Sequence, residues 1–172
     1  MTIKTFILLT LCLTLAFVSC NKATPAGFWK NYKGDFLVKN ISDQGPYGGH
    51  RAIYWKVGNT NIFNSKNVLD FASKNGWTLV DSSEFSKDQT NQWIYDNENV
   101  FPLTSTGFSD TLKSDGHLTD FPRWFGGQLK VYKFKTGWVT IEPGTDNSIE
   151  ENGFVVISHD KTEMAVYHLW GE

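Results

Sequence analysis

Residues 129–170, LKVYKFKTGWVTIEPGTDNSIEENGFVVISHDKTEMAVYHLW, decide the fold. Residues Leu129 to Lys135 read as a strand, and from Tyr132 to Lys135 apolar and polar side chains alternate with a period of two, so that Tyr132 and Phe134 share one face. Residues 138–142, WVTIE, read as another strand, and Thr136-Gly137 between the two runs is a tight-turn signal. The two runs are therefore predicted to pair as a hairpin, with Tyr132 and Phe134 facing Val139 and Ile141. Lys133 and Lys135 would share the opposite face with Trp138 and Thr140. After an acidic loop, 143–152, a second hairpin is predicted from 154–159 and 164–170, turning at 160–163. Together these make an antiparallel meander whose apolar face needs a cover.

The cover is predicted upstream. Asn64 or Ser65 can cap a helix whose apolar side is Val68, Leu69, Phe71 and Ala72, and Asn75-Gly76 ends it. Before it, residues 35–41 and 50–57 read as strands around a turn-rich loop, 43–49, DQGPYGG. In the second of them Ala52, Tyr54 and Lys56 alternate with Ile53, Trp55 and Val57. Residues 77–80 resume as a strand after the helix. This is the only strand–helix–strand step, so a doubly wound sheet is not expected. Residues 81–127 are the least regular part. A strand over 91–95 and a helical turn over 109–114 are the local signals there, and the rest reads as loop. The predicted class is α+β: predominantly antiparallel sheet, a C-terminal meander of two hairpins, and one main helix near 65–75.

The beginning of the chain, MTIKTFILLTLCLTLAFVSC, has one lysine, Lys4, then an apolar run from Phe6 to Val18, then Ser19 and Cys20. The run is shorter than the roughly 20 residues that a membrane-crossing helix needs and has the layout of a secretory signal. An ordinary cut after Ser19 would put bulky Phe17 at the −3 position, and a cut after Val18 would put a branched residue at −1. Phe17-Val18-Ser19-Cys20 resembles the lipobox of bacterial lipoproteins, with Phe17 where that family usually has leucine. The resemblance covers only these twenty residues. It implies a signal peptide over 1–19, and lipidation of Cys20 as the new N-terminus. It implies nothing about the fold that follows. Residues 20–27 are then expected to be the lipidated cysteine and a short polar tether, and 28–172 one domain. Asn21 is not the aspartate that the resemblance links to inner-membrane retention, so a periplasm-facing domain is expected, with the outer membrane favoured over the inner.

Both cysteines, Cys12 and Cys20, lie within that leader, so the domain has no intramolecular disulfide to rely on. It has instead an aromatic load of 13 Phe, 7 Trp and 6 Tyr, of which only Phe6 and Phe17 belong to the leader. Each buried ring removes on the order of 150–250 Å² from water. Without Lys4 the chain carries 15 basic and 18 acidic side chains, and it contains no basic run longer than two residues. Nucleic acid is therefore not an expected partner. The membrane would be held by acyl groups rather than by charge, two or more chains being needed for a stable hold.

Chemistry-bearing motifs are sparse. Gly-x-Ser-x-Gly is missing, and Gly45-Pro-Tyr-Gly-Gly49 lacks the lysine and trailing helix of a P-loop. His159 and His168 are predicted on one face of the last hairpin, too far apart to share a metal, and His50 has no carboxylate or cysteine beside it in sequence. Asp110, Asp115, His117 and Asp120 do not follow the calcium-loop spacing, and Glu142, Asp146, Glu150 and Glu151 surround a loop with no apolar pocket in sequence. No catalytic residue, cofactor or metal is expected. Binding is. Seven tryptophans are many for one small core, and an exposed Trp or Arg on a loop is a common anchor for a protein partner. Arg123, Trp124, Phe125 and Trp138 are the candidate binding residues. The expected function is a lipid-anchored envelope protein binding a protein partner, with an immunity-type inhibitor of a toxin as one form. Glycan or peptidoglycan binding is the alternative, and a carboxylate-dependent hydrolase ranks last.

Overall fold

A computed structural model describes residues 25–58, 61–111 and 121–171. The leader, Cys20 and the aspartates and histidine at 115, 117 and 120 lie outside the described residues. So does half of the helical turn expected over 109–114, of which only 109–111 are described, without helix.

The chain forms β1 (Leu37–Gln44), β2 (Gly48–Lys56), helix α1 (Ser65–Lys74) and β3 (Thr78–Phe85). A four-residue helix α2 (Lys87–Thr90) follows, then the short strands β4 (Ile94–Tyr95), β5 (Glu98–Asn99), β6 (Leu103–Thr104) and β7 (Gly107–Phe108). The chain ends with β8 (Leu129–Lys135), β9 (Thr140–Ile141), β10 (Ser148–Ile149), β11 (Gly153–Ser158) and β12 (Glu163–Gly171). The main sheet runs β1-β2-β12-β11-β8-β3, antiparallel throughout. The expected class, antiparallel α+β with one main helix, is the class observed.

Helix α1 starts and stops as its sequence dictates. The Asn64 side chain accepts from the Asn67 amide at 3.2 Å, filling one of the unsatisfied N-terminal donors. Gly76 ends the turn at φ 88°, where a side chain would be strained. The step β2–α1–β3 is a wide crossover: β2 and β3 run parallel but are separated by β12, β11 and β8.

Both faces of the central strands β2, β12 and β11 are covered, and this was not expected. In β2, Ile53 and Trp55 enter one core with Trp29, Phe63, Val68, Ala72 and Trp77, beneath α1 and the 3-10 helix Gly27–Asn31. Ala52 and Tyr54 enter a second core with Trp93, Phe101, Phe121 and Phe125, beneath residues 86–111 and 121–125. The same division holds in β11 and β12, so all of β11 and Met164–Tyr167 of β12 are buried. Four tryptophans (29, 55, 77 and 93) are hidden by having two cores to enter, and Trp170 is buried at the end of β12.

Three details differ from the sequence reading. Residues 138–142 do not pair with β8. Both edges of β8 are taken, by β11 and by β3, and β9 instead pairs with β10 and touches β12 through Gly171 and Thr140. Tyr132 therefore sits opposite Val155 and Ser82. The strand after the helix continues past residue 80 to Phe85, while the strand signal at 91–95 reduces to the small hairpin of β4 and β5. Pro25 and Ala26, expected within a tether over 20–27, are buried, and Ala26 belongs to the first core.

Gly153 opens β11 because nothing larger fits. A Cβ there would stand 2.4 Å from the Thr136 methyl and 2.9 Å from the Trp77 ring. Gly153→Ala is expected to cost about 1–3 kcal/mol in urea denaturation. Gly34→Ala, where nothing lies within 4 Å, should stay within about 0.5 kcal/mol of wild type. Equal midpoints for the two variants would contradict this packing.

Candidate functional site

The loop that carries Arg123, Trp124 and Phe125 is pinned across the second core. The Arg123 amide donates to the Asn99 carbonyl at 3.0 Å. Its guanidinium donates from Nη1 to the Phe125 carbonyl at 3.1 Å and from Nη2 to Asn99 Oδ1 at 2.8 Å. Arg123 is buried, as is Phe125, and burial lowers the guanidinium pKa while the neighbouring Tyr167 opposes that shift. Trp124, half-buried, lies near-parallel to Tyr54 and Tyr167, with centroids at 5.5 and 6.0 Å. Phe125 stacks on Tyr54 as well. Tyr54 donates its hydroxyl to Glu163, which also pairs with Lys56 at 3.2 Å, and burial followed by Glu163 raises the phenol pKa. The loop is thus a clamp on the core, and Arg123 and Phe125 are not presented to a partner. A charge between Pro122 and Gly126-Gly127 reads locally as exposed. Only the distant Asn99 makes its burial tolerable.

Trp138 does lie outside, 40% exposed, in the turn between β8 and β9. Its carbonyl accepts from Asn152 Nδ2 at 2.9 Å, and its amide donates to Thr136 Oγ1 at 3.2 Å. This ties it to a buried polar cluster that the sequence reading missed. Thr136 Oγ1 donates to Asn152 Oδ1 at 2.8 Å and meets His168 Nε2 at 3.1 Å. The His168 ring lies between Trp77 and Trp170, with centroids at 5.5 and 5.0 Å. Arg51, opposite His168 in the register, donates from Nη2 to Ser42 Oγ at 2.9 Å. Burial first, and then the Arg51 charge, push the His168 pKa down to about 3. His159, by contrast, is exposed and lies beyond the end of β11. The available signal was a lone histidine inside the apolar run of β12.

On the opposite face of the same sheet end lies an open cleft of about 440 Å³. Its walls are the β1–β2 turn, the start of β2, the end of β12, residues 103–105, and Phe121, Thr140 and Pro143. Asp43 and His50 are cross-strand partners on this face, and the His50 ring meets the edge of Phe121 at 5.6 Å. Tyr47, on the turn, is 77% exposed. Close backbone approach makes the turn possible: a Cβ on Gly171 would lie 2.1 Å from the Tyr47 carbonyl, at φ 86°. The Gly171 amide donates to the Val139 carbonyl at 2.8 Å, so Val139, 39% exposed, and Trp138 stand at the same end. Among the described residues no lysine or arginine lines the cleft. Trp138 and Val139 thus stand at the same end of the sheet as the cleft without lining it, and Arg123, Trp124 and Phe125 form a separate clamp.

The acidic loop is paired rather than poised for chemistry. Glu150 meets Lys135 at 2.8 Å, Glu151 meets Lys133 at 3.1 Å, and Glu142 accepts from Asn147. Among the described residues no three His, Cys, Asp or Glu side chains are grouped to hold a metal, and no helix is long and apolar enough to cross a membrane. Compared with known proteins, the chain matches no family model, no curated protein and no solved structure.

Arg123→Ala strands Asn99 Oδ1 and the Phe125 carbonyl, and should cost about 2 kcal/mol in urea denaturation, whereas Trp138→Ala should be near neutral. His168 gives a pH signature. It stays neutral in the fold but takes a proton in the unfolded chain below its ordinary value of 6.5. Stability is therefore present above pH 6.5 and lost as pH falls toward 3. Relative to His168→Gln, the wild type should lose up to about 1.4 kcal/mol per pH unit over that window. Parallel pH curves for the two proteins would show that His168 is not held neutral.

Proposed function

We propose that this chain is a bacterial envelope lipoprotein, anchored through acyl groups on Cys20, whose domain binds a protein partner at the sheet-end cleft. The observation that carries the binding reading is the rim: Tyr47, three-quarters exposed beside the open cleft, with Trp138 and Val139 at the same end. Aromatic side chains around a depression are what anchored protein interfaces are made of. An immunity-type inhibitor, neutralising a toxin that arrives in the periplasm, is the specific form that suits a small acidic domain on an envelope anchor.

The anchor reading rests on Phe17-Val18-Ser19-Cys20. Four residues separate Cys20 from Pro25, the first described residue, which limits the spacing from anchor to fold to roughly 18 Å. A partner would therefore be met close to a membrane surface, the outer membrane being favoured and the domain facing the periplasm. Glycan binding is the second reading. It is favoured by Asp43, Thr104 and Ser105 lining the same cleft as aromatic rings. Neither reading includes a catalytic step, metal, cofactor or nucleic acid.

Two experiments test the proposal. With labelled palmitate, wild type should take up label and Cys20→Ala should not; label on the alanine variant defeats the anchor. For binding, the full chain in detergent should form a saturable one-to-one complex with an envelope protein. Tyr47→Ala and Trp138→Ala should each weaken it about tenfold or more, as loss of an anchor residue does. Retention on purified insoluble peptidoglycan, lost in the same variants, would favour the glycan reading. Binding unchanged in both variants would remove the rim as the site.

A further inference from the structure

We propose that the free edge of β1 pairs antiparallel with β1 of a second copy of this chain, about a two-fold axis at Ile41. This is independent of what binds the cleft.

Strand β1 has β2 on one side and no strand on the other among the described residues. Val38 to Gln44 are exposed on both faces, with Val38 at 50% and Ile41 at 39%. An edge of this length is a ready template for another strand unless something blocks it.

The hydrogen-bond parity is fixed by the turn. Gly45 donates to the Gly48 carbonyl at 2.7 Å, so residues 45 and 48 form a hydrogen-bonded pair. Antiparallel pairs alternate, and the register is continuous from Lys39↔Tyr54 to Gln44↔Gly49. Residues 43, 41 and 39 therefore spend their backbone groups on β2. Residues 44, 42 and 40 point theirs outward, to the free edge.

The side chains supply the register. Lys39, Ile41 and Asp43 oppose Tyr54, Ala52 and His50, so all three lie on one face. Neither Lys39 nor Asp43 has an ion pair among the described residues. With Ile41 opposite Ile41 of the second copy, each Lys39 faces the other copy's Asp43, and the two isoleucines meet between them. Asn40 then faces Ser42, and these are the residues whose backbone groups point outward. Side chain and backbone thus select the same register. A slip of one residue turns the stripe to the wrong face, and a slip of two separates both charge pairs. A lone lysine on an edge strand ordinarily repels a second strand; in this register it attracts one.

The other edge lacks this pattern. Strand β3 reads TLVDSSEF, with two acids and no cation, and its Glu84 already pairs with Lys130 at 3.3 Å. Pairing at β1 also bears on the cleft. Asp43 lines it, so the second copy would bring Lys39 to a rim that has no cation among the described residues.

The test uses the full chain in detergent. Sedimentation should show a concentration-dependent dimer. Lys39→Asp places two acids together at both ends of the pair and should weaken it about tenfold or more. Lys39→Asp with Asp43→Lys restores attraction in the same register and should bring the dimer back. Under mild oxidation in native membranes, Ile41→Cys should cross-link to a dimer, whereas Leu79→Cys on β3 and the wild type should not. A wild type that stays monomeric to millimolar concentration overturns the proposal. So does a dimer indifferent to Lys39→Asp, or cross-linking at Leu79 equal to that at Ile41.

Discussion

The structure depends on one arrangement: three neighbouring strands, β2, β12 and β11, are buried on both faces at once. Their side chains alternate between two aromatic cores, so Ile53 and Trp55 support α1 while Ala52 and Tyr54 support residues 86–111 and 121–125. Each strand therefore contributes apolar area in both directions, and a domain with no disulfide available gains two cores from one sheet. The cores differ in construction. The first is closed by a regular helix. The second is closed by a chain with only short elements, held by ring contacts such as Phe101 on Tyr167 at 4.2 Å and by hydrogen bonds such as Thr90 Oγ1 to the Gly127 carbonyl at 2.8 Å.

With both faces sealed, only the ends and edges of the sheet are left for recognition. One end is unusually built. His168 and Arg51 are buried on one face, and the open cleft with Asp43 and His50 lies on the other. The buried cluster holds the turn after β8 through Asn152 and the Trp138 carbonyl. Residues 136–140 carry Trp138 outward, so the polar interior braces one side of the exposed rim. Gly49 and Gly171 bring the β1–β2 turn close on the other side. The binding place proposed above is where interior polarity, backbone proximity and exposed aromatics coincide.

Elements with local signals were legible in the sequence. Helix α1 was bounded by Asn64 and Gly76, β2 by its alternation, and the hairpin of β11 and β12 by the turn at 160–163. Pairings set by distant strands were not. Thr136-Gly137 does turn the chain, with Gly137 at φ 79°, but β8 has no edge left for the residues that follow. The second core escaped because aromatic residues in a loop have no period to read. Arg123 was misjudged for the same reason, since its partner Asn99 lies 24 residues away. The exposure of Trp138 was legible from its place on the lysine-bearing side of its strand. Tyr47 and the cleft were not, because they arise where the two ends of the sheet's chain path, 43–50 and 169–171, are brought side by side.

The account's central claim is that recognition is confined to the end and the β1 edge of a sheet sealed on both faces. Hydroxyl-radical footprinting, comparing the chain in intact envelopes with the purified chain in detergent, tests this directly. Protection in the envelope is predicted at Tyr47, Trp138 and Val139, and along Val38 to Gln44, with no change at Trp124 or on the outer side of α1. Protection centred on Trp124 or on α1, with the rim and β1 unaltered, would contradict it.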